Sequence, residues 1–182
     1  MTYYITAWTT TGVITGTGFT PDGTIPQGAI VCTEEQAKNT SQYVVDTSTS
    51  PPSVVNAPSA ILLAQAQASQ IALLQSAFEQ AEQAPVSLTL ASGVTTTFSM
   101  IPHDWTKIVG LFAKYVAKGD AVPSGYSLPD ANMVLRVVTA TDIDNLFESG
   151  KTQIDGAVAK LASLVGEVQA ATTVSAVQAI VW

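Results

Sequence analysis

Residue types that could do acid–base, nucleophilic or metal chemistry are few in this chain, and they are thinly spread. The single histidine, His103, stands between Pro102 and Asp104. A serine–histidine–aspartate site assembles in space, so short motifs do not decide its presence. No Gly-x-Ser-x-Gly turn lifts a serine out of a strand, however, and His103 at a helix start reads as a surface or capping residue. Asp142 and Asp144 could be read as an acid–base pair. Two positions apart, they leave a helix in different directions, and at a helix N-terminus the dipole accounts for both. Gly16-x-Gly18 lacks the third glycine of a phosphate-binding loop and no helix follows it, so Gly12, Gly16 and Gly18 read as β-turn and strand glycines. Asp120 and Asp130 flank a Gly/Pro loop without the dense oxygen spacing of a calcium loop. Cys32, the lone cysteine, follows an apolar run and reads as a small hydrophobe. Tyr3, Tyr4, Trp8 and Phe19 would stack on sugars if exposed, but alternating β positions place them in a core. The expectation is a protein without catalytic residues, metal site or cofactor.

The elements that must carry these residues fall into three regions. Residues 1–45 read as a β-rich module. Tyr3 to Trp8 and Val13 to Phe19 flank a turn at Gly12, a short extended stretch runs from Ile25 to Val31, and Thr33-Glu34-Glu35-Gln36 caps a short helix. Residues 46–58, with Pro51, Pro52 and Pro58 among serines, read as an extended linker and the main boundary. Residues 59–182 read as an α+β domain led by a helix over 59–83, so the fold class is α+β. In that helix Ile61, Ala64, Ala68, Ile71, Gln75 and Phe78 draw one apolar stripe, while Leu63, Leu74, Ala77 and Ala81 draw another. Two stripes mean two neighbours. The helix is either a core helix of the following domain or part of a bundle around an oligomer axis. On the bundle reading the interface comprises Ile61, Ala64, Ala68, Ile71, Leu74 and Phe78.

Beyond Pro85 the pattern is β-β-α-β-α-α. Val86 to Leu90 and Val94 to Met100 form a hairpin around Ala91-Ser92-Gly93, and Pro102 opens a helix bearing Trp105, Ile108, Val109, Phe112 and Val116 on one face. Residues 119–129 read as a loop and Met133 to Val138 as a short buried strand. Thr141 and Asp144 have capping-box spacing at the start of a long helix reaching Ala170. Thr172-Thr173 caps a last helix before Trp182.

Of 182 residues, 47% are hydrophobic and only 12% charged, against about one-quarter charged in an average soluble domain. A surface of Thr, Ser, Gln and Ala suits a subunit held against other subunits, or an extracellular protein. The net charge is -7 and the seven basic residues are scattered, which argues against nucleic-acid binding. No apolar run is long enough to span a bilayer, and the start lacks the pattern of a signal peptide. Synthesis in a cytoplasm is therefore expected.

The closing stretch Ala171-Thr172-Thr173-Val174-Ser175-Ala176-Val177-Gln178-Ala179-Ile180-Val181-Trp182 resembles the ending of a domain family of unknown function. That family occurs in tail-fibre and tail-fibre-assembly proteins of tailed bacteriophages. The order from about Gln65 onward is also similar to it: an Ala/Gln-rich helix, a hairpin, helices and a last helix closing on Trp. Gly12-Val13-Ile14, Pro26-Gln27-Gly28-Ala29-Ile30 and Thr33-Glu34-Glu35-Gln36 resemble the β-rich starts of small fibre-associated proteins. The resemblance implies a structural virion protein of the tail, attached to the fibre or baseplate through other tail proteins and copies of itself. A tail-fibre assembly chaperone is the alternative, and a glycan-degrading tail enzyme a third reading. It carries over no catalytic residues.

Overall fold

Threonine, β-branched and aromatic residues fill the first two extended runs. In the computed structural model, which describes residues 1–182, they form β1 (Thr2–Trp8) and β2 (Ile14–Thr20). The two strands pair antiparallel from Thr2↔Thr20 to Trp8↔Ile14, with an irregularity around Ala7. The opposite edge of β1 pairs with β3 (Ile30–Cys32). Next comes α1 (Glu34–Lys38), whose start is a full capping box. The Gln36 amide donates to Thr33 Oγ1 at 3.1 Å, and the Thr33 amide donates to Gln36 Oε1 at 2.9 Å.

The stretch expected as a linker, 46–58, is not one. Ser53–Asn56 is a strand, β5, paired along its length with β4 (Tyr43–Asp46). Pro51 and Pro52 belong to the loop of that hairpin. β4 joins the first sheet where Val13 bridges Val44 and the Val45 amide donates to the Gly12 carbonyl at 2.8 Å. Gly12 is required there twice over: its φ is +82°, and a Cβ would run into the Val45 carbonyl. The strands thus follow one another as β3-β1-β2-β4-β5, and β5 returns alongside β3, where Gln36 Nε2 reaches the Val54 carbonyl at 3.4 Å. Ile5, Ile14 and Val45 are buried inside, with Trp8, Ile30, Cys32, Tyr43 and Val54 packed around them.

The chain divides into two compact units, Met1–Ser69 with Ala171–Ala179 and Gln70–Ala170 with Ile180–Trp182. The division falls inside the single helix α2 (Ser59–Glu82), not at the expected boundary. The first unit also holds α5 (Val174–Gln178), which Thr173 caps through the Ala176 amide and whose Val177 is fully buried.

In the second unit the hairpin β6 (Val86–Thr89) and β7 (Thr95–Phe98) precedes α3 (Pro102–Leu111). α3 runs on through a wider π-helical turn to Ala117. A second hairpin follows, β8 (Ser127–Pro129) with β9 (Leu135–Val137), and then α4 (Ala140–Ala170). β8 lies within the stretch expected as loop, because Leu128 enters the core while its neighbours stay half-exposed. Phe98, Met100, Ile108, Leu128, Ile143 and Leu146 form the centre of this core. Phe147 stacks between Phe112, with ring centres 3.9 Å apart, and Trp105 at 5.6 Å. Gln153 closes the end of α2 by donating from Nε2 to the Ala84 carbonyl at 2.8 Å and the Ala81 carbonyl at 3.0 Å. The Trp182 ring meets Phe78 edge-on and lies 4.8 Å below Lys160 Nζ.

Two further expectations change. The capping box of α4 lies two residues earlier than Thr141 and Asp144. The Thr139 amide and hydroxyl donate to Asp142 Oδ2, and the Asp142 amide donates to Thr139 Oγ1. The strand near 135 is not buried: Leu135 and Val137 face outward and only Val138 is in the core.

Candidate functional site

The six residues proposed for an interface on α2 meet different fates. Leu74 is 1% exposed and so offers a partner nothing, which removes it from the interface. Phe78 is half-buried against Trp182. Ile61 and Ile71 are half-buried, while Ala64 and Ala68 are exposed. The stripe of Leu63, Leu74, Ala77 and Ala81 is the one that turns inward. The outward face consists of Ala60, Ala64, Ala68 and Ala72, with Gln75, Ser76 and Glu79. Leu73, outside both stripes, is 62% exposed on the margin of that face.

A second surface belongs to the 70–170 unit. Ile101, His103, Asp104 and Lys107 at the start of α3 face Leu128, Pro129 and Met133 across a groove of about 430 Å³ lined mostly by apolar atoms. Its floor is held by Asp130, whose side chain is fully buried. Asp130 Oδ1 accepts from the Asn132 amide at 2.9 Å and the Val134 amide at 3.0 Å. Oδ2 accepts from Thr96 Oγ1 at 2.8 Å and from Arg136 Nε at 2.9 Å. The Val134 amide does most to hold the carboxyl at about 2, against burial, which pushes it up; Thr96, Arg136 and the Asn132 amide add to the lowering. A carboxyl held this way is a structural clamp, not a proton-transfer group.

The other candidates for chemistry are also placed. Asp142 is buried, and besides its cap it accepts from the Ala91 amide at 2.7 Å, tying the β6–β7 turn to α4. Burial pushes its carboxyl up, but the Thr139 hydroxyl and the amides of Thr139 and Ala91 outweigh that and leave it below the usual range. Asp144, half-exposed, takes no part in that network. His103 is exposed on the groove rim. Burial pushes the half-buried Cys32 thiol up, away from reactive thiolate. Tyr3 and Phe19 are neighbours across β1 and β2, with Phe19 well exposed, while Trp8 packs on the core of its unit. No three His, Cys, Asp or Glu side chains come together as a metal-binding group. No helix is long and apolar enough to cross a membrane.

Comparison with known proteins found no matching family model, no matching curated protein and no matching solved structure.

The feature that reading the sequence missed is the β8–β9 turn. Three hairpins here use one turn, in which the first residue's amide donates to the fifth residue's carbonyl and the fourth's amide donates back to the first's carbonyl. It occurs at Thr9–Val13, Leu90–Val94 and Asp130–Val134. The fourth position takes a positive φ, supplied by Gly12 and Gly93 in the first two cases. In the third it is Met133, with φ +63° and 80% of its surface exposed. The signal that could have found it is Asp130-Ala131-Asn132, since an aspartate opening a turn can bond the amides that follow.

Proposed function

We propose that this chain is a structural, partner-binding subunit of a bacteriophage tail, seated at the fibre or baseplate, where copies of itself or neighbouring tail proteins dock on the outer face of α2. The observation that carries this reading is that face itself. From Ser59 to Phe78 the helix has no charged residue, although Ala60, Ala64, Ala68 and Ala72 face outward beside the exposed Leu73. Helices that face water normally carry Lys, Glu or Arg there, and their absence leaves a smooth surface that another helix can approach closely. Burying Leu73 alone would contribute about 1–2 kcal/mol. The resemblance of the closing segment to tail-fibre proteins gives the setting; the low overall charge agrees with it.

The test is solution mass by light scattering for the whole chain, beside Ala68→Asp and Leu73→Asp. Both sites are exposed, so the variants are expected to fold. The expected result is a larger species for the parent chain that both substitutions dissociate. An assembly indifferent to both, or a monomeric parent chain that no purified tail protein binds, overturns docking on this face. Peptide mass spectrometry of purified particles then separates a resident part, present in fixed proportion, from an assembly chaperone, which is absent.

A further inference from the structure

We propose that the hollow between α1 and the face of β1–β2 bearing Tyr3 and Phe19 binds an uncharged sugar ring of a glycan. Tyr3 and Phe19 are cross-strand partners, so their side chains stand on one face of the sheet, with ring centres 6.2 Å apart. The next pair on that face is Ile5 and Thr17, of which Ile5 is buried and Thr17 exposed. With Ala37 and Lys38 of α1, the two rings and Thr17 line a hollow of about 600 Å³. Phe19 keeps 60% of its surface open to it and to solvent.

Two features select what the hollow takes. One is a flat apolar ring left open, which offers a surface for stacking. The other is a set of hydrogen-bonding groups at its edge: the hydroxyls of Tyr3 and Thr17, with Glu34 and Lys38. Lys38 Nζ donates to Glu34 Oε1. Lys38 first and the Tyr3 hydroxyl second hold the Glu34 carboxyl below its ordinary range, so this acceptor stays ionised. Both charged side chains remain more than half exposed, which leaves them free lone pairs and protons for a ligand. A pyranose ring matches both features. One of its faces carries C–H bonds, and its rim carries hydroxyls that donate and accept. Small-molecule sites combine an aromatic or apolar lining with a few placed polar groups in the same way.

Charge narrows the class further. The side-chain charges at the hollow, Glu34 and Lys38, cancel each other in a chain whose net charge is -7. A phosphate or a nucleic-acid backbone would meet one lysine that a carboxylate already engages. A wholly apolar partner would cover Glu34, Lys38 and the two hydroxyls without replacing their hydrogen bonds to water. An uncharged, polyhydroxylated ligand meets neither obstacle. The site uses no residue of α2, so it stands or fails independently of the docking face proposed above.

The experiment is saturation-transfer NMR on the whole chain with neutral hexasaccharides of glucose, galactose, mannose and N-acetylglucosamine. Phe19→Ala, Phe19→Trp and Thr17→Val are measured beside the parent chain. Both positions are exposed, so the variants are expected to fold, and an unchanged Tm checks it. The expected result is transfer to the ring C–H protons of at least one of the four sugars. Affinity should fall about tenfold or more in Phe19→Ala and be kept in Phe19→Trp, which restores a stacking ring. Thr17→Val keeps the shape and removes the hydroxyl, and it should weaken the same sugar. No transfer to any of the four sugars, or equal binding by a folded Phe19→Ala, overturns the proposal. An oligothymidylate that binds in place of the sugars and is lost with Phe19→Ala would assign the ring to nucleic-acid bases, and overturns it too.

Discussion

Replacing Met133 with glycine should stabilise the protein, although it deletes a large apolar side chain. The left-handed backbone at this position costs a residue with a Cβ about 1–2 kcal/mol. Glycine relieves that strain, but it loosens the unfolded chain by about 0.4–1 kcal/mol. Little burial is lost, since Met133 is 80% exposed. The net expectation for Met133→Gly is a gain of about 0.5–1 kcal/mol, or about 1–4 °C in Tm for a chain of this size. The same reasoning runs backward at Gly93, which has φ +81° in the matching turn and open space where a Cβ would stand. Gly93→Ala should therefore lose about as much as Met133→Gly gains. Thermal and urea unfolding of both variants at low concentration, where association does not contribute, gives the two numbers. A destabilised Met133→Gly would show that the side chain holds the fold and that the strain reasoning is wrong.

Gly150 sits on α4 where a Cβ would press on the end of Met100 and stand 2.6 Å from Trp105 Cζ3, whereas nothing lies near Gly156 or Gly166. Alanine is the better helix former by about 1 kcal/mol, so Gly156→Ala and Gly166→Ala should each raise Tm. Gly150→Ala should lower it, overpacking costing about 1–3 kcal/mol against that gain; an equal rise in all three would refute the close fit at Trp105. Asp130 gives a pH prediction. Its folded value of about 2 lies below the ordinary 3.8, so the stability it contributes is complete above about pH 4 and is lost as pH falls through 2. Asp130→Asn should lower Tm at neutral pH and flatten the acid limb of Tm against pH; an unchanged limb would show that other carboxyls govern it.

How much of this was legible in the sequence depends on whether a residue's neighbours along the chain decide its role. Gly12 and Gly93 announce their hairpins because a positive φ is a local demand, and Thr33 with Gln36 announces α1 for the same reason. The β8–β9 turn has no glycine; it is specified by Asp130, whose carboxylate also depends on Thr96, a partner far along the chain. The linker reading of 46–58 failed because Pro51 and Pro52 dominate the local signal, while Val54 and Val55 become a strand only beside Val44 and Val45. Thr139/Asp142 and Thr141/Asp144 have identical spacing. What separates them is the Ala91 amide, which reaches Asp142 from the β6–β7 turn.

The same division runs through the candidate surfaces. Two apolar stripes on α2 were visible, but neither showed what the helix meets far along the chain. Phe78 lies on Trp182, and Gln70 Nε2 donates to the Ile180 carbonyl at 2.6 Å. On β9 the error ran the other way. Apolar density from Met133 to Val138 suggested a buried strand, since a short apolar run ordinarily earns burial on both faces. Here Val138 goes in, Arg136 turns to Asp130, and Leu135 and Val137 are left outside. Leu135 and Val137 on β9, and Leu73 on α2, are the large apolar side chains of these two elements that the fold leaves exposed.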